Sequence, residues 1–168
     1  RAATMATGTR KRTLTRENLV GTVAGAVASA PVLLAALVRP KTSAALREKV
    51  VLAVTAVNDC GLCRWGHTHW ARAQGVSLEE INRILGAQAA SLAADDPAEA
   101  AAILFAQSYA ENLDRIDPKS IAGLRLHYSD AQVAELVAFV RAITLGNLAG
   151  NTLDAGVGRL RAFLGSSA

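Results

Sequence analysis

Residues 48–67 of the chain read EKVVLAVTAVNDCGLCRWGH. This stretch contains the only two cysteines of the chain, Cys60 and Cys63, in a Cys-x-x-Cys spacing. If Asn58 or Asp59 caps a helix that begins here, then Cys60, Cys63 and His67 fall on one narrow stripe of it. Two thiols one turn apart can close a disulfide, and a helix N-terminus favours thiolate. The stretch therefore predicts redox or nucleophilic sulfur chemistry.

Glu48 joins this set only if the chain reverses its direction. In one unbroken helix Glu48 would lie about 18 Å from Cys60 along the axis. If the chain turns back at residues 58–59, Glu48 and His67 lie at the same level of an antiparallel helix pair. A carboxylate beside a histidine fixes its tautomer and raises its basicity. The sequence thus predicts a Glu48–His67–Cys63 proton relay with Cys60 one turn further along.

The pattern Glu-x11-Cys-x2-Cys-x3-His resembles the alkylhydroperoxidase AhpD-like family, which shares its all-helical fold with the carboxymuconolactone decarboxylases. The flanking segments 30–37 (APVLLAAL) and 71–81 (ARAQGVSLEEI) fit the same family. The resemblance implies that Cys63 attacks the peroxide and that Cys60 is its proton donor and disulfide partner, with Glu48 and His67 as the relay. One departure is Leu62, at a position where AhpD proper often has histidine.

The order of the two sulfurs stays open at this stage. Position on the helix favours Cys60 as the more thiolate-like sulfur, because it is nearer the helix start. The family favours Cys63, and the charge of Asp59 next to Cys60 also favours Cys63 as the nucleophile.

Composition supports one all-α domain. The 168 residues are 51% hydrophobic and only 4% aromatic, with alanine prominent, which suits closely packed helices. The formal net charge of +4 comes from the first 17 residues, and from Asn18 onward the chain has thirteen basic and thirteen acidic residues. A neutral body predicts no nucleic-acid partner.

The chain divides into a disordered leader, residues 1–14, and a single AhpD-like helical domain, residues 15–168. Residues 19–38 carry no charge and are predicted as a buried helix, a break at Pro31 and a short second helix, rather than as a membrane segment. The Val50–Val54 run is β-branched, but no other segment offers a sheet partner, so we expect a helix buried on most sides. Further helices are expected at about 43–57, 60–74, 77–85, 95–113, from 118, 131–145 and 151–164.

A second occurrence of the Glu-x11 spacing suggests two related helical halves. Glu135 and Asn147 repeat the separation of Glu48 and Cys60, and Gly150 and Asp154 then match Cys63 and His67. In this interpretation only the first half carries thiol chemistry.

The reading that we prefer is a cytoplasmic thiol peroxidase or disulfide reductase that needs no bound cofactor or metal. Its expected partners are a hydroperoxide, a dithiol or lipoyl-type protein reductant and other copies of the chain in a trimer or hexamer, all implied by the resemblance. One alternative is a decarboxylase-type lyase or isomerase that uses Glu48 and His67. The other is a non-enzymatic redox or zinc module, with His69 as a fourth zinc ligand.

Overall fold

A computed structural model describes residues 11–86, 96–112 and 115–165, and within them the chain is all-α without strands. The helices are α1 Arg16–Val38, α2 Ala44–Asn58, α3 Gly61–Ala73, α4 Leu78–Leu85, α5 Pro97–Asn112, α6 Pro118–Arg125 and α7 Asp130–Gly165. The expected all-α bundle is confirmed. The expected helix start at residues 95–96 lies partly outside the described residues, as does the expected end at residue 113.

Side-chain caps begin several helices where the sequence places them. Ser43 Oγ accepts the Leu46 N–H at 3.1 Å, and Ser77 Oγ accepts the Glu80 N–H at 3.1 Å. Asp117 does the same for the N–H of Lys119 at 3.0 Å. Each side chain satisfies a backbone donor that the first helical turn leaves without a partner, and this is why helices begin at these residues.

Helix α2 is the centre of the bundle. It contacts α3, α4, α5 and α7, and five consecutive residues, Val50 to Val54, are at most 3% exposed, as is expected of a helix surrounded by others. The rest of the core comes mainly from α4, α5 and α7, whose largest fully buried side chains are Ile81, Ile84, Ile103, Leu136 and Leu148. The prediction of a helix buried on most sides at this position is confirmed.

The predicted break at Pro31 is wrong, because α1 continues through it to Val38. Proline removes one hydrogen bond to the carbonyl four residues earlier, here that of Val27. Val27 is 66% exposed, so this carbonyl lies on the side of the helix that is open to water. Long contact with α7 stabilises α1 along its length and outweighs the local cost.

The prediction that this segment is buried is also wrong. Only three residues of α1 are buried, namely Thr22, Ser29 and Ala36. Among the helices of the described residues, two are long and apolar enough to cross a membrane by length and composition alone, namely α1, with 17% of its most apolar window buried, and α7, with 44%. Core helices of soluble proteins pass the same test.

The predicted division of residues 131–164 into two helices is wrong as well, because α7 is continuous. Gly146 and Gly150 lie where the two helices were expected to be separated. However, Asn147, Leu148 and Asn151 are at most 2% exposed, so packing holds this part of the helix in place. Gly150 lies against the disulfide: a Cβ there would be in van der Waals contact with Cys60 Sγ, at 3.4 Å.

The described residues begin before α1. Residues 11–14 lie against the bundle, where Leu14 N–H donates to Thr152 Oγ1 at 2.9 Å and Arg12 bonds to the carbonyl of Ala110. The expected disordered leader therefore does not extend to residue 14, and residues 1–10 lie outside the described residues.

Glu135 joins the link between α1 and α2 to α7. Its carboxylate is 2% exposed and accepts the N–H groups of Lys41 at 2.8 Å and Thr42 at 3.0 Å, besides the Thr42 hydroxyl at 2.5 Å. Burial raises the pKa of Glu135, but these hydrogen bonds and the charge of Arg47 outweigh it and hold the pKa below its ordinary value of 4.5.

We expect Glu135→Gln to reduce the free energy of unfolding by about 2 kcal/mol near neutral pH, because it removes charge-assisted hydrogen bonds from a buried site. The charged carboxylate stabilises the fold fully above about pH 5, and this contribution is lost as the pH falls through the lowered pKa. Urea unfolding across this pH range measures the difference. The exposed Glu79→Gln is the control, and a loss that does not shrink in acid would contradict the assignment.

Candidate active site

The bend between α2 and α3 depends on Asp59. This residue has φ 53° and ψ 48°, the only left-handed conformation of a non-glycine residue in the described ranges. Asparagine and aspartate tolerate this conformation better than other non-glycine residues. Helix α2 ends at Asn58 and α3 begins at Gly61, so Cys60 itself is the N-cap. The predicted reversal is confirmed, and the predicted cap at Asn58 or Asp59 is wrong by one or two residues.

Helix α7 stabilises this bend through hydrogen bonds to the end of α2. Asn151 Nδ2 donates to the carbonyl of Asn58 at 2.7 Å, and the Arg12 N–H donates to the same oxygen at 3.3 Å. One turn earlier on α7, Asn147 Nδ2 donates to Thr55 Oγ1 at 3.3 Å. These buried amides satisfy the end of α2 and fix where the chain turns.

The two cysteines form a disulfide, with their Cα atoms 5.3 Å apart. That separation lies within the range that a disulfide spans without backbone movement. Cys60 is 1% exposed and faces α7, whereas Cys63 is partly exposed. The Cys63 N–H points at Cys60 Sγ, 3.4 Å away. The sulfurs thus meet at the first turn of α3, and only one of them is open to water.

Glu48 and His67 meet across the antiparallel pair α2–α3. His67 Nδ1 lies 2.8 Å from Glu48 Oε2, and both side chains are less than one fifth exposed. An ionised carboxylate only accepts hydrogen bonds, so Nδ1 is the donor and Nε2 is free to accept or return a proton. His67 lies one helical turn after Cys63, as the sequence predicts, and Glu48 is brought to it by the bend.

One aromatic side chain contacts the Glu48–His67 pair. Trp70 contacts His67 edge to face at 5.0 Å between ring centroids, and it is 60% exposed. Trp65 packs on His69, with 4.8 Å between the ring centroids. The sequence analysis missed Trp70, although the spacing of Cys63, His67 and Trp70 places all three on one helix face.

A cavity of about 430 Å³ opens beside Cys60, between α3 and the C-terminal part of α7. Its apolar wall contains Leu62, Leu153 and Val157, and the charged groups at it are Lys11, Asp154 and Arg161. Neither tryptophan of α3 lines it. Apart from Cys60, Gly61 and Leu62, its members lie far from the motif in sequence, so the sequence analysis could not assemble it.

A second ionic cluster lies one residue from Glu48. Lys49 Nζ bonds to Glu80 at 2.5 Å and to Glu99 at 2.6 Å, joining α2 to α4 and α5. Burial raises the pKa of Glu99, and Lys49 only partly opposes this, whereas for Glu80 the bond to Lys49 overcomes burial and the pKa is lowered. The cluster fixes the face of α2 next to the site, and it does not contact the sulfurs.

The zinc alternative finds no matching geometry in the described residues. No group of three or more His, Cys, Asp and Glu side chains converges there as a metal site. The two sulfurs are bonded to each other, and His69 Nδ1 lies 2.7 Å from the carbonyl of Trp65. His69 therefore does not join the predicted set of Glu48, Cys60, Cys63 and His67.

Comparison with known proteins gives one match. The model of the carboxymuconolactone decarboxylase family matches residues 26–108. No curated protein and no solved structure matches the chain. The matched segment includes the bend, both sulfurs and the Glu48–His67 pair.

The unequal burial of the sulfurs predicts unequal alkylation. When the reduced protein meets a limiting amount of iodoacetamide, we expect Cys63 to be modified before Cys60, because its sulfur is the one open to water. Peptide mapping by mass spectrometry measures the ratio. Unfolding in urea is the control and should remove the preference, and faster modification of Cys60 in the native protein would contradict it.

Proposed function

Residues 26–108 of this chain belong to the carboxymuconolactone decarboxylase family, and on that premise we propose that the protein is a thiol peroxidase that works through Cys60 and Cys63. The observation that carries the proposal is the pairing of two features. A Cys-x-x-Cys disulfide lies at the start of α3, and a histidine one turn later is held by a carboxylate at 2.8 Å. This combination provides both a reversible two-electron store and a path for protons.

The first half of the cycle reduces the peroxide. The Cys63 thiolate attacks the terminal oxygen of a hydroperoxide, the O–O bond breaks, and Cys63 becomes a sulfenic acid. The leaving alkoxide takes a proton and departs as an alcohol. His67 is placed to move that proton, since Glu48 holds its Nδ1 and leaves Nε2 free.

The second half closes and reopens the disulfide. The Cys60 thiol attacks the sulfenic sulfur of Cys63, water leaves, and the Cys60–Cys63 bond forms. An external dithiol then reduces this bond by thiol–disulfide exchange and carries away two electrons as its own disulfide. The cycle uses only sulfur and proton chemistry, so no bound metal or organic cofactor takes part in it.

The cellular setting belongs to the same proposal. A Cys-x-x-Cys that must be re-reduced in each cycle suits the cytoplasm, where thiols are kept reduced. The reductant is a dithiol or a lipoyl-type protein. Several copies of the chain assemble, as a trimer or hexamer, and the exposed apolar side chains support this: Val20, Val27, Leu34, Leu37 and Val38 of α1 with Leu160, Phe163 and Leu164 of α7.

A second candidate is acid–base chemistry without sulfur, in which the Glu48–His67 pair moves a proton on a carbon substrate. The direct bond between these two side chains and the family match favour it. The two candidates differ in one requirement, because only the peroxidase needs both cysteines.

We expect one equivalent of hydroperoxide to remove two thiols from the reduced protein, and a dithiol to restore both. Thiol titration measures the change. Cys63→Ser should consume no peroxide, whereas Cys60→Ser should stop at a sulfenic acid that dimedone traps and mass spectrometry detects. If Cys63→Ser and the double variant Cys60→Ser/Cys63→Ser both consume peroxide as fast as the unaltered protein, the sulfurs are not the reacting groups and the acid–base candidate gains support.

We expect His67→Asn and Glu48→Gln to slow peroxide consumption, by about a hundredfold for His67→Asn and by less for Glu48→Gln, which keeps the histidine. Stopped-flow measurement of sulfenic acid formation reports the rate. His69→Asn is the matched control, because it alters a histidine of the same helix that does not face the sulfurs. A rate for His67→Asn within twofold of the control would remove the relay from the mechanism.

A further inference from the structure

The cavity beside Cys60 has a composition that suits one class of ligand. A volume of about 430 Å³ is in the range of pockets for small organic molecules. One stripe of α7, formed by Gly150, Asp154, Val157 and Arg161 at intervals of four, three and four residues, makes its long wall. The opposite wall comes from the start of α3. The cavity therefore joins an apolar channel to the sulfur pair.

Two glycines line the end of the cavity that is next to Cys60. Gly61 and Gly150 both line it, and a Cβ at Gly150 would lie 3.4 Å from Cys60 Sγ. Leu62, Leu153 and Val157 continue the wall away from the sulfur, and they are 73%, 71% and 47% exposed. Covering these apolar side chains with the chain of a ligand removes them from water and so lowers the free energy of the complex.

The charged end carries an excess of positive charge. Lys11 Nζ is already bound to Asp154 at 2.7 Å, so these two charges offset each other. Arg161 lies one further turn along the same stripe of α7, and it leaves the cavity with two cations against one carboxylate. An arginine at the mouth of an apolar cavity recognises a carboxylate, since its planar group can bind both oxygens.

We propose that this cavity binds an apolar chain that ends in an anionic group, with the anion at Arg161 and the chain directed at the Cys60–Cys63 pair. This inference rests on the proposed peroxidase function. In that function, the preferred substrates are the hydroperoxides of apolar carboxylic acids. Because the Cα atoms of the two cysteines lie only 5.3 Å apart, a chain that lies over Cys60 holds its reacting group close to Cys63 as well.

Binding is tested on the oxidised protein, in which the disulfide is closed and no reaction with the probes occurs. Isothermal titration with octanoate, octanol and acetate separates the apolar contribution from the anionic one. We expect octanoate to bind about five times more tightly than octanol and acetate not to saturate. High salt should reduce the difference, since the charge contact is exposed.

Two matched pairs of variants assign the site. Arg161→Gln should weaken octanoate binding by about fivefold and leave octanol unchanged, whereas Arg159→Gln, two residues away and outside the cavity, should change neither. Val157→Trp should abolish binding of both probes because it fills the channel, and Leu160→Trp should not. The role of Arg161 in binding the anion is overturned if octanoate and octanol bind equally, or if the two arginine variants have equal effects. The binding site itself is overturned if octanoate binding does not saturate.

Kinetics then connects the site to the substrate class. The ratio of kcat/KM for a hydroperoxide of an apolar carboxylic acid to that for tert-butyl hydroperoxide should fall about fivefold in Arg161→Gln and stay constant in Arg159→Gln. An unchanged ratio in Arg161→Gln overturns the substrate assignment. Octanoate binding without any peroxide consumption would contradict the proposed function while leaving the binding site in place, so the two failures are distinguishable.

Discussion

The structure depends on one constraint, the reversal of the chain at Asp59. Without it Glu48 and His67 would lie on one helix axis and could not touch, and Cys60 would be an interior residue of a helix. With it, a left-handed residue ends α2, the next residue caps α3, and a carboxylate from one helix reaches an imidazole of the other. The bend is secured by the Asn151 side chain, which bonds to the last carbonyl of α2. The chemistry of α3 therefore depends on an amide of a helix nearly a hundred residues later in the chain.

This arrangement gives α3 two functional sides. One side faces α2, where His67 bonds to Glu48 and Trp70 covers the imidazole edge. The other side faces α7, where Cys60 lies against Gly150 and the cavity begins. In the proposed mechanism, protons reach the sulfur pair from the side of α2 while an apolar ligand approaches Cys60 from the side of α7. The two paths need not compete for the same space, which is a useful property for a site that must admit both.

Much of this site could be predicted from the sequence, because its main parts are local. The spacing of Cys60, Cys63 and His67 determines their common helix face, and the serine caps determine where α2 and α4 begin. Placing Glu48 beside His67 required only the assumption that the chain reverses its direction between them. Long-range packing was not readable in the same way. The continuity of α1 through Pro31 comes from its contact with α7, and that of α7 comes from its contacts with α1 and α2, which override local signals such as proline and glycine.

The suggested repeat illustrates the same limit. Glu135 and Asn147 do occupy positions that correspond in spacing to Glu48 and Cys60, but α7 has no bend between them. Glu135 holds the link before α2, and Asn147 bonds to Thr55, so both stabilise the half that carries the sulfurs. Equal spacing therefore does not produce equal roles. The left-handed residue at Asp59 is what distinguishes the two segments.

The order of attack by the two sulfurs can now be argued on physical grounds. The charge of Asp59 is partly offset by Arg64, whose guanidinium lies 3.2 Å from it, so this charge discriminates less between the sulfurs than the sequence suggested. The difference in burial between Cys60 and Cys63 separates the two sulfurs more clearly. A thiolate at Cys60 would be charged and nearly excluded from water, and one backbone N–H at 3.4 Å offers it little compensation. Cys63 is partly open to water and lies one turn from the imidazole that must protonate the leaving alkoxide. These features support Cys63 as the first nucleophile in the proposed cycle, and they leave Cys60, one turn away, as the resolving thiol.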